Sequence, residues 1–109
     1  MKPISTKQHG AVDYLFAAST YALARASSER TRTLLTGSSL AVAAMSASTD
    51  YELGVVRALP MKAHLALDLV LGSLFVAAPV LLRGESARVK AAVAGMGALG
   101  IAVAVLTES

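Results

Sequence analysis

The sequence predicts an all-α integral membrane protein in which four transmembrane helices form two helical hairpins. The first observation is composition: 55% of the 109 residues are apolar and 16% are charged, whereas soluble domains average about 45–50% and about 25%. The second is that the charged residues fall between long apolar runs, and the mean hydropathy is +0.61. The third is that two stretches of sequence, about 55 residues apart, resemble each other.

Four charge-free runs supply the helices, and they cover residues 14–24, 33–49, 69–82 and 91–107. A helix needs about 20 mostly apolar residues, with a range of about 17 to 25, to cross the hydrocarbon layer. The second and fourth runs reach the lower limit unaided, whereas the first and third must extend upstream to about Thr6 and Met61. We therefore expect one domain over 1–109, with transmembrane helices near 7–25, 30–49, 61–82 and 88–107.

Two other classes of protein fit the sequence less well. A soluble four-helix bundle should carry a charged face on each helix, and the runs 33–49 and 91–107 have none. A cleaved signal peptide would use Ala22-Leu23-Ala24 as its cleavage site. Asp13, however, interrupts the apolar region that such a peptide requires.

Residues at the helix ends support these boundaries. Ser5-Thr6-Lys7-Gln8 has the pattern of a capping box that opens helix 1. Pro60 suits the first turn of helix 3, and Gly84 is expected to end that helix.

The segment between the hairpins predicts a short helix that lies in the membrane interface. Thr49-Asp50-Tyr51-Glu52 has the pattern of a second capping box. We therefore expect residues 51–59 to be helical, with aromatic and basic side chains at the level of the lipid headgroups. The candidate residues of this interface helix are Asp50, Tyr51, Glu52 and Arg57.

Lys and Arg in the loops predict the orientation in the membrane. Six lie in or beside the loops after helices 1 and 3, and four lie on the other side. Because basic loops face the cytoplasm, we expect loops 26–32 and 83–90 to be cytoplasmic and the chain to be a multi-pass protein of the inner (plasma) membrane. The net charge of +3 is spread along the chain, so the expected partner is the lipid bilayer and not nucleic acid.

The two similar stretches indicate an internal repeat. His9 and Asp13 in the first half have counterparts in His64 and Asp68 in the second. The repeat halves cover about 5–50 and 60–105. Since each half holds two helices, both halves enter the membrane from the same side, and a symmetry axis would run along the membrane normal.

The second half also carries motifs of a known family. These motifs are His64-Leu65-Ala66-Leu67-Asp68, Gly72 and Ala78-Pro79, preceded by Thr49-Asp50-Tyr51-Glu52-Leu53-Gly54 and Arg57-Ala58-Leu59-Pro60-Met61. They resemble the SPW-repeat family of small bacterial membrane proteins, although Ala78-Pro79-Val80 stands where that family has Ser-Pro-Trp. The resemblance implies a four-helix integral membrane protein and brings no activity with it.

The two pairs of histidine and aspartate are the candidate functional site. His9 and Asp13, like His64 and Asp68, are four residues apart and so share a helix face. Ionisable groups inside a membrane are costly and are a functional hypothesis by default. The pairs could form a polar lock between helices, pass protons, or bind a metal ion through two imidazoles and two carboxylates. The spacing does not decide among these roles.

Glycine-rich segments predict close helix packing. Gly95-Met96-Gly97-Ala98-Leu99-Gly100 matches the dinucleotide-binding pattern literally, but it lies inside an apolar run with no preceding strand. Small residues there let helices approach closely, either within the bundle or between copies of the chain. The candidate packing residues are Gly37, Gly72, Gly95, Gly97 and Gly100.

These observations predict a non-enzymatic accessory, scaffold or assembly module of the membrane. The chain has no cysteine, which excludes thiolate chemistry, and no nucleophile or phosphate-binding motif is apparent. We expect no catalytic residues and no cofactor, with a homo-oligomer or a larger membrane complex as partner. The alternative is a small proton-coupled transporter or an ion- or metal-binding membrane protein that uses the His/Asp pairs.

Overall fold

The computed structural model describes residues 2–107 and shows four helices. They are α1 (Thr6–Arg25), α2 (Glu29–Ala47), α3 (Met61–Leu81) and α4 (Ala87–Leu106). Within the described range there is no strand, only two isolated backbone bridges. The all-α prediction is therefore confirmed, and each helix lies within about two residues of its expected boundaries.

The helices form two antiparallel hairpins, because α1 packs along α2 and α3 packs along α4. Two glycines explain how closely α3 approaches α4. A Cβ atom on Gly72 would lie 2.9 Å from the carbonyl oxygen of Gly97, and a Cβ on Gly97 would lie 2.6 Å from the carbonyl oxygen of Gly72. No larger side chain fits there, so the packing role predicted for these two glycines is confirmed.

The other three candidate packing glycines behave differently. Gly100 is in ordinary contact with the ring of Phe16, at 3.9 Å from an added Cβ. Gly37 and Gly95 have no atom within 4 Å of an added Cβ, so of the two kinds of packing predicted, within the bundle or between copies of the chain, the first does not occur at these positions. They lie on the outward faces of α2 and α4, where the helix period places them opposite the buried residues.

The ends of the helices follow the sequence signals. Ser5 forms the expected capping box with Gln8: its side chain accepts the Gln8 N–H at 3.1 Å, and the Gln8 side chain accepts the Ser5 N–H at 2.9 Å. Pro60 stands immediately before α3. Gly84 follows α3 with a φ of 81°, a conformation that favours glycine.

The expected interface helix over 51–59 does not form, and that prediction is wrong. Residues 48–60 instead make an irregular connection whose N–H groups bond the last carbonyls of α2. Val55 and Val56 donate to the Ala47 oxygen at 2.7 and 2.8 Å, and Leu59 donates to the Ser48 oxygen at 2.7 Å. Because these amides satisfy the end of α2, they are not free to build a helix of their own.

Two of the four helices, α3 and α4, are long and apolar enough to cross a membrane. We expected the run in α2 to qualify unaided, and it does not. The reason is composition: α2 begins with Glu29, Arg30 and Arg32, and the rest of the helix is rich in serine and threonine.

The two hairpins are joined at both ends of the bundle. At one end, Glu85 in the loop after α3 accepts hydrogen bonds from the N–H and hydroxyl of Ser28, at 2.8 and 2.9 Å. At the opposite end, the Ile4 N–H donates to the Leu106 oxygen at 3.1 Å. The hydrophobic core lies near the Ser28 end of the bundle. It is formed by Ala24, Leu35, Phe75, Leu82, Val89 and Val93.

Candidate functional site

The four candidate residues meet as one cluster between α1 and α3. The Nε2 atom of His9 lies 3.1 Å from Asp13 Oδ1 and 2.7 Å from Asp68 Oδ2. The Nε2 atom of His64 lies 2.9 Å from Asp13 Oδ2 and 3.2 Å from Asp68 Oδ2. Imidazole and carboxylate groups thus alternate around a ring, which we call the His/Asp ring and which consists of His9, Asp13, His64 and Asp68.

Helix geometry places these side chains. In each helix the histidine is the fourth residue and the aspartate the eighth, so one turn separates them on a single face. Each residue adds about 1.5 Å of rise, which puts the aspartates about 10 Å inside the helix. The shorter contact of each histidine is with the aspartate of the other helix, so the ring joins the two hairpins.

Threonine hydroxyls fix the tautomer of both imidazoles. The Thr107 hydroxyl donates its single proton to the Val103 carbonyl and lies 2.7 Å from His9 Nδ1. It must therefore accept from that nitrogen, which carries the proton. Thr49 repeats the arrangement, because its hydroxyl donates to the Met45 carbonyl at 2.6 Å and lies 2.7 Å from His64 Nδ1. In both histidines the Nε2 atom is left to face the carboxylates.

Tyr51 supplies a further contact that sequence reasoning assigned to the membrane surface. Its side chain is buried, with a relative exposure of 4%, and its hydroxyl donates to Asp13 Oδ2 at 2.9 Å. Burial raises the pKa of the phenol above its ordinary range, so the hydroxyl keeps the proton that it donates. The prediction that Tyr51 lies at headgroup level is wrong, since the connection 48–60 folds back over the bundle.

The remaining candidates of the connection lie away from the ring. Glu52 is exposed and accepts a hydrogen bond from the Thr6 hydroxyl at 2.7 Å, which lowers the pKa of its carboxyl. The guanidinium of Arg57 donates to the Glu52 carbonyl at 3.5 Å. Asp50 is exposed, and its N–H donates to the Leu59 oxygen at 2.7 Å. These contacts tie the connection together and do not extend the site.

The ring is largely buried, and only Asp68 is partly exposed. His9 and His64 have relative exposures of 1% and 0%, and their rings meet edge to face at 5.2 Å between centroids. Beside them is a cavity of ≈ 30 Å³ that His9, Asp13 and Asp68 line together with apolar side chains. That volume holds about one water molecule or a single ion. An organic substrate does not fit in it.

The donor set can hold a metal ion. One ligand atom from each of the four residues lies within 4.8 Å of every other, and two imidazole nitrogens with two carboxylate oxygens suit a divalent transition metal. The same atoms can instead share protons as a polar lock. The chain matches no family model, no curated protein and no solved structure. The resemblance to the SPW-repeat family thus stays a prediction from the sequence motifs.

Sequence reasoning missed two residues of the site, Thr49 and Thr107. A signal for the threonines was present, because each is the last residue of a charge-free run, 33–49 and 91–107. Two antiparallel hairpins bring those run ends back beside the first turns of α1 and α3. Tyr51 was a possible partner of the aspartates in the polar-lock interpretation, and its hydroxyl does donate to Asp13.

Proposed function

We propose that this chain is an integral membrane protein of the inner membrane whose four helices all cross the bilayer, and that it serves as a non-enzymatic accessory or assembly module. The proposal starts from α3 and α4. Only 22% and 28% of their most apolar windows are buried within the bundle, whereas the core helix of a soluble protein is mostly buried. Lipid is the solvent that suits such exposed apolar surface.

Contacts between the two hairpins at opposite ends of the bundle support membrane insertion of α1 and α2. Ser28 with Glu85 at one end, and Ile4 with Leu106 at the other, hold the first hairpin alongside the second over its full length. All four helices are 19 to 21 residues long, about 30 Å each. A membrane that α3 and α4 cross therefore also surrounds α1 and α2.

The polar residues of α1 and α2 are placed where a membrane tolerates them. Apart from Asp13, which is in the His/Asp ring, their charged residues occupy the terminal turns. Two mid-helix hydroxyls of α2 bond their own backbone: Ser38 donates to the Leu34 oxygen and Ser39 to the Thr36 oxygen, both at 2.8 Å. These bonds satisfy the hydroxyls without water.

Every helix also presents a large apolar side chain outward. The relative exposures are 66% for Leu15 in α1, 61% for Leu40 in α2, 61% for Leu74 in α3 and 55% for Leu99 in α4. A bundle with apolar residues on all sides suits a lipid environment. The more basic loops, 26–32 and 83–90, then face the cytoplasm.

Matched contacts support the parallel repeat. His9 pairs with Thr107 as His64 pairs with Thr49. Likewise, Ile4 bridges to Thr107 as Leu59 bridges to Thr49. Each half thus places the end of its second helix against the start of the other half's first helix. The architecture agrees with what the resemblance to the SPW-repeat family implies.

The role of module rests on the outer surface and on the small size of the cavity. The ≈ 30 Å³ beside the ring leaves no room for an organic substrate. Gly37 and Gly95 expose open, small-residue positions on α2 and α4, which are the faces that membrane helices use to associate. We therefore place the contact with a second copy or a larger membrane complex at these two helices.

Thiol accessibility in intact cells tests the four-span topology, because the chain contains no cysteine of its own. Single cysteines at Ala26 and Arg83 should be protected from an impermeant reagent, and those at Lys2 and Val55 should react. If only α3 and α4 crossed the membrane, Ala26 and Val55 would lie on the same side. Equal labelling at those two positions therefore contradicts the proposal.

Native mass spectrometry from mild detergent tests the module. We expect a mass above that of one chain, made up of further copies or a stoichiometric partner. Gly37→Leu and Gly95→Leu should reduce that mass to one chain without altering the helix content, since a Cβ at either position has no atom within 4 Å. A single chain in the unsubstituted protein would overturn the assembly role.

A further inference from the structure

We propose that the His/Asp ring binds one divalent first-row transition metal ion. The four contacts around the ring are 2.7 to 3.2 Å long, and each joins an imidazole nitrogen to a carboxylate oxygen, with Asp13 using both of its oxygens. For ligand bonds of about 2.0–2.2 Å, ligand atoms at right angles around a metal lie about 3 Å apart. The ring therefore has the dimensions of neighbouring ligands around one ion, with only small movements needed to receive it.

A second observation is the Nε2 atom of His64. This side chain is fully buried, yet the nitrogen has no hydrogen-bond partner, although Asp13 Oδ2 lies 2.9 Å away and Asp68 Oδ2 lies 3.2 Å away. The oxygens are close but do not lie along the direction of an Nε2–H bond. That is the relation expected of two ligands of the same ion, which are neighbours of each other without being donor and acceptor.

The contacts outside the ring are those that metal-binding histidines use. A ligating histidine almost always donates its other ring N–H to an oxygen, which fixes its tautomer and orientation. Thr107 and Thr49 accept the two Nδ1–H groups, so both Nε2 atoms face the ring and can bind an ion in exchange for a proton. Tyr51 fixes Asp13 in turn by donating to its Oδ2.

Charge and ligand chemistry define the class of ion. Once their Nε2 protons are released to make way for a metal, two imidazoles and two carboxylates carry a charge of −2, which one divalent cation balances without any further counter-ion. Magnesium and calcium prefer oxygen ligands throughout, whereas zinc, cobalt and nickel accept this mixture of imidazole and carboxylate. The adjacent ≈ 30 Å³ cavity leaves room for about one water molecule as an additional ligand.

The inference goes beyond the proposed function and can fail separately from it. Metal binding depends on the His/Asp ring that joins the two hairpins, whereas the module role depends on the number of membrane spans and on the outer surface of α2 and α4. A protein that spans the membrane four times and binds no metal would overturn only this inference.

The test uses the full chain in detergent micelles, purified with a tag that lacks histidine clusters. After treatment with EDTA and its removal, the protein is titrated with Zn²⁺, and bound metal is measured by mass spectrometry of the element. We expect one ion per chain. Titration with Co²⁺ should give a visible absorption band, whose position reports nitrogen and oxygen ligands.

Asp68→Asn removes the charge of a ligand while keeping the shape of the side chain. It should weaken metal binding by more than about 100-fold, because 100-fold is the largest loss of affinity typical of residues that only hydrogen-bond the ligands. Asp50→Asn is the matched control, since Asp50 is exposed at the same end of the bundle. We expect that control to bind one ion. Binding by Asp68→Asn at the affinity of the unsubstituted chain, or fewer than about 0.1 ions per unsubstituted chain at micromolar Zn²⁺, would overturn the inference.

A threonine pair keeps the test informative if Asp68→Asn does not fold. Thr107→Val removes the oxygen that accepts His9 Nδ1–H, and it should weaken binding by about 10- to 100-fold. Thr107→Ser retains the hydroxyl and should restore binding. A merely structural threonine would change the melting temperature but leave the Co²⁺ spectrum and the affinity alike in both variants, and that result would contradict the inference.

Discussion

His9 on α1 and Asp68 on α3 form the shortest contact of the His/Asp ring, with 2.7 Å between Nε2 and Oδ2. The corresponding contact from the other side, His64 with Asp13, is 2.9 Å. The contacts within each helix are longer, at 3.1 and 3.2 Å. The closest contacts of the ring thus join the two hairpins, and the contacts within each helix are weaker. We therefore expect the effect of the ring on stability to depend on the balance of charge across both helices.

Removing one member of the ring should do more harm than removing one histidine and one aspartate together. His64→Ala leaves two carboxylates beside one imidazole and unbalances a buried site, which typically costs about 3–5 kcal/mol. His64→Ala combined with Asp68→Leu leaves His9 and Asp13 as a balanced pair. We expect its free energy of unfolding to lie between those of the single variant and the unsubstituted protein.

Thermal unfolding in detergent, under one fixed lipid and salt condition and without added metal, measures this comparison. The exposed Asp50→Asn variant shows the effect of losing a carboxylate outside the ring. A double variant less stable than His64→Ala would show that the contacts themselves, and not charge balance, dominate the stability of the ring.

Tyr51 should contribute to stability through its hydroxyl. Tyr51→Phe keeps the buried aromatic side chain but removes the hydroxyl that donates to Asp13 Oδ2. Losing a hydrogen bond to a charged group costs about 1.5–3 kcal/mol. Tyr21→Phe is the control, since Tyr21 is 43% exposed and its ring face toward Arg25 is retained. Equal unfolding temperatures for the two variants would contradict the role given to Tyr51.

Helix positions and the membership of the ring follow from the sequence because both are local or periodic. The spacing of His9 and Asp13 fixes a shared face, and the repeated spacing at His64 and Asp68 indicates that the pairs have equivalent places. The connection 48–60 could not be predicted in the same way. The Thr49–Glu52 pattern is a capping box only if the N–H and hydroxyl of Thr49 are free, and here they donate to the Ser46 and Met45 carbonyls at the end of α2. Tyr51 reaches Asp13 as a result of that path.

Gly97 and Gly37 should respond in opposite ways to the same substitution. At Gly97 an added methyl group would lie 2.6 Å from the Gly72 oxygen and 2.8 Å from the Val76 nitrogen, so Gly97→Ala must push α3 and α4 apart. Such overpacking typically costs about 1–3 kcal/mol. At Gly37 nothing lies within 4 Å, and Gly37→Ala should stabilise the helix by up to about 1 kcal/mol.

Unfolding temperatures of the two alanine variants, with far-ultraviolet circular dichroism to confirm helix content, provide the measurement. A Gly97→Ala protein as stable as Gly37→Ala would mean that α3 and α4 are further apart than the structure has them.

Glu85 should make the link between the two tight loops sensitive to acid. The Ser28 N–H and hydroxyl both donate to its carboxylate, and these bonds, chiefly that from the backbone, lower the pKa of Glu85 to about 2. A carboxyl whose pKa is lower in the folded chain than in the unfolded one stabilises the fold above the unfolded pKa, and that contribution is lost as the pH falls through the folded value. The contribution of Glu85 is therefore complete above about pH 5 and disappears between about pH 4.5 and about pH 2.

At pH 7 we expect Glu85→Gln to unfold at a lower temperature than the unsubstituted protein, because the neutral amide is a weaker acceptor for both donors. At pH 2 the two proteins should unfold at nearly the same temperature. Asp50→Asn, which removes a carboxylate that makes none of these contacts, corrects for the general effect of charge. If Glu85→Gln lowered the unfolding temperature equally at pH 7 and pH 2, the carboxylate would not be the group that joins the loops.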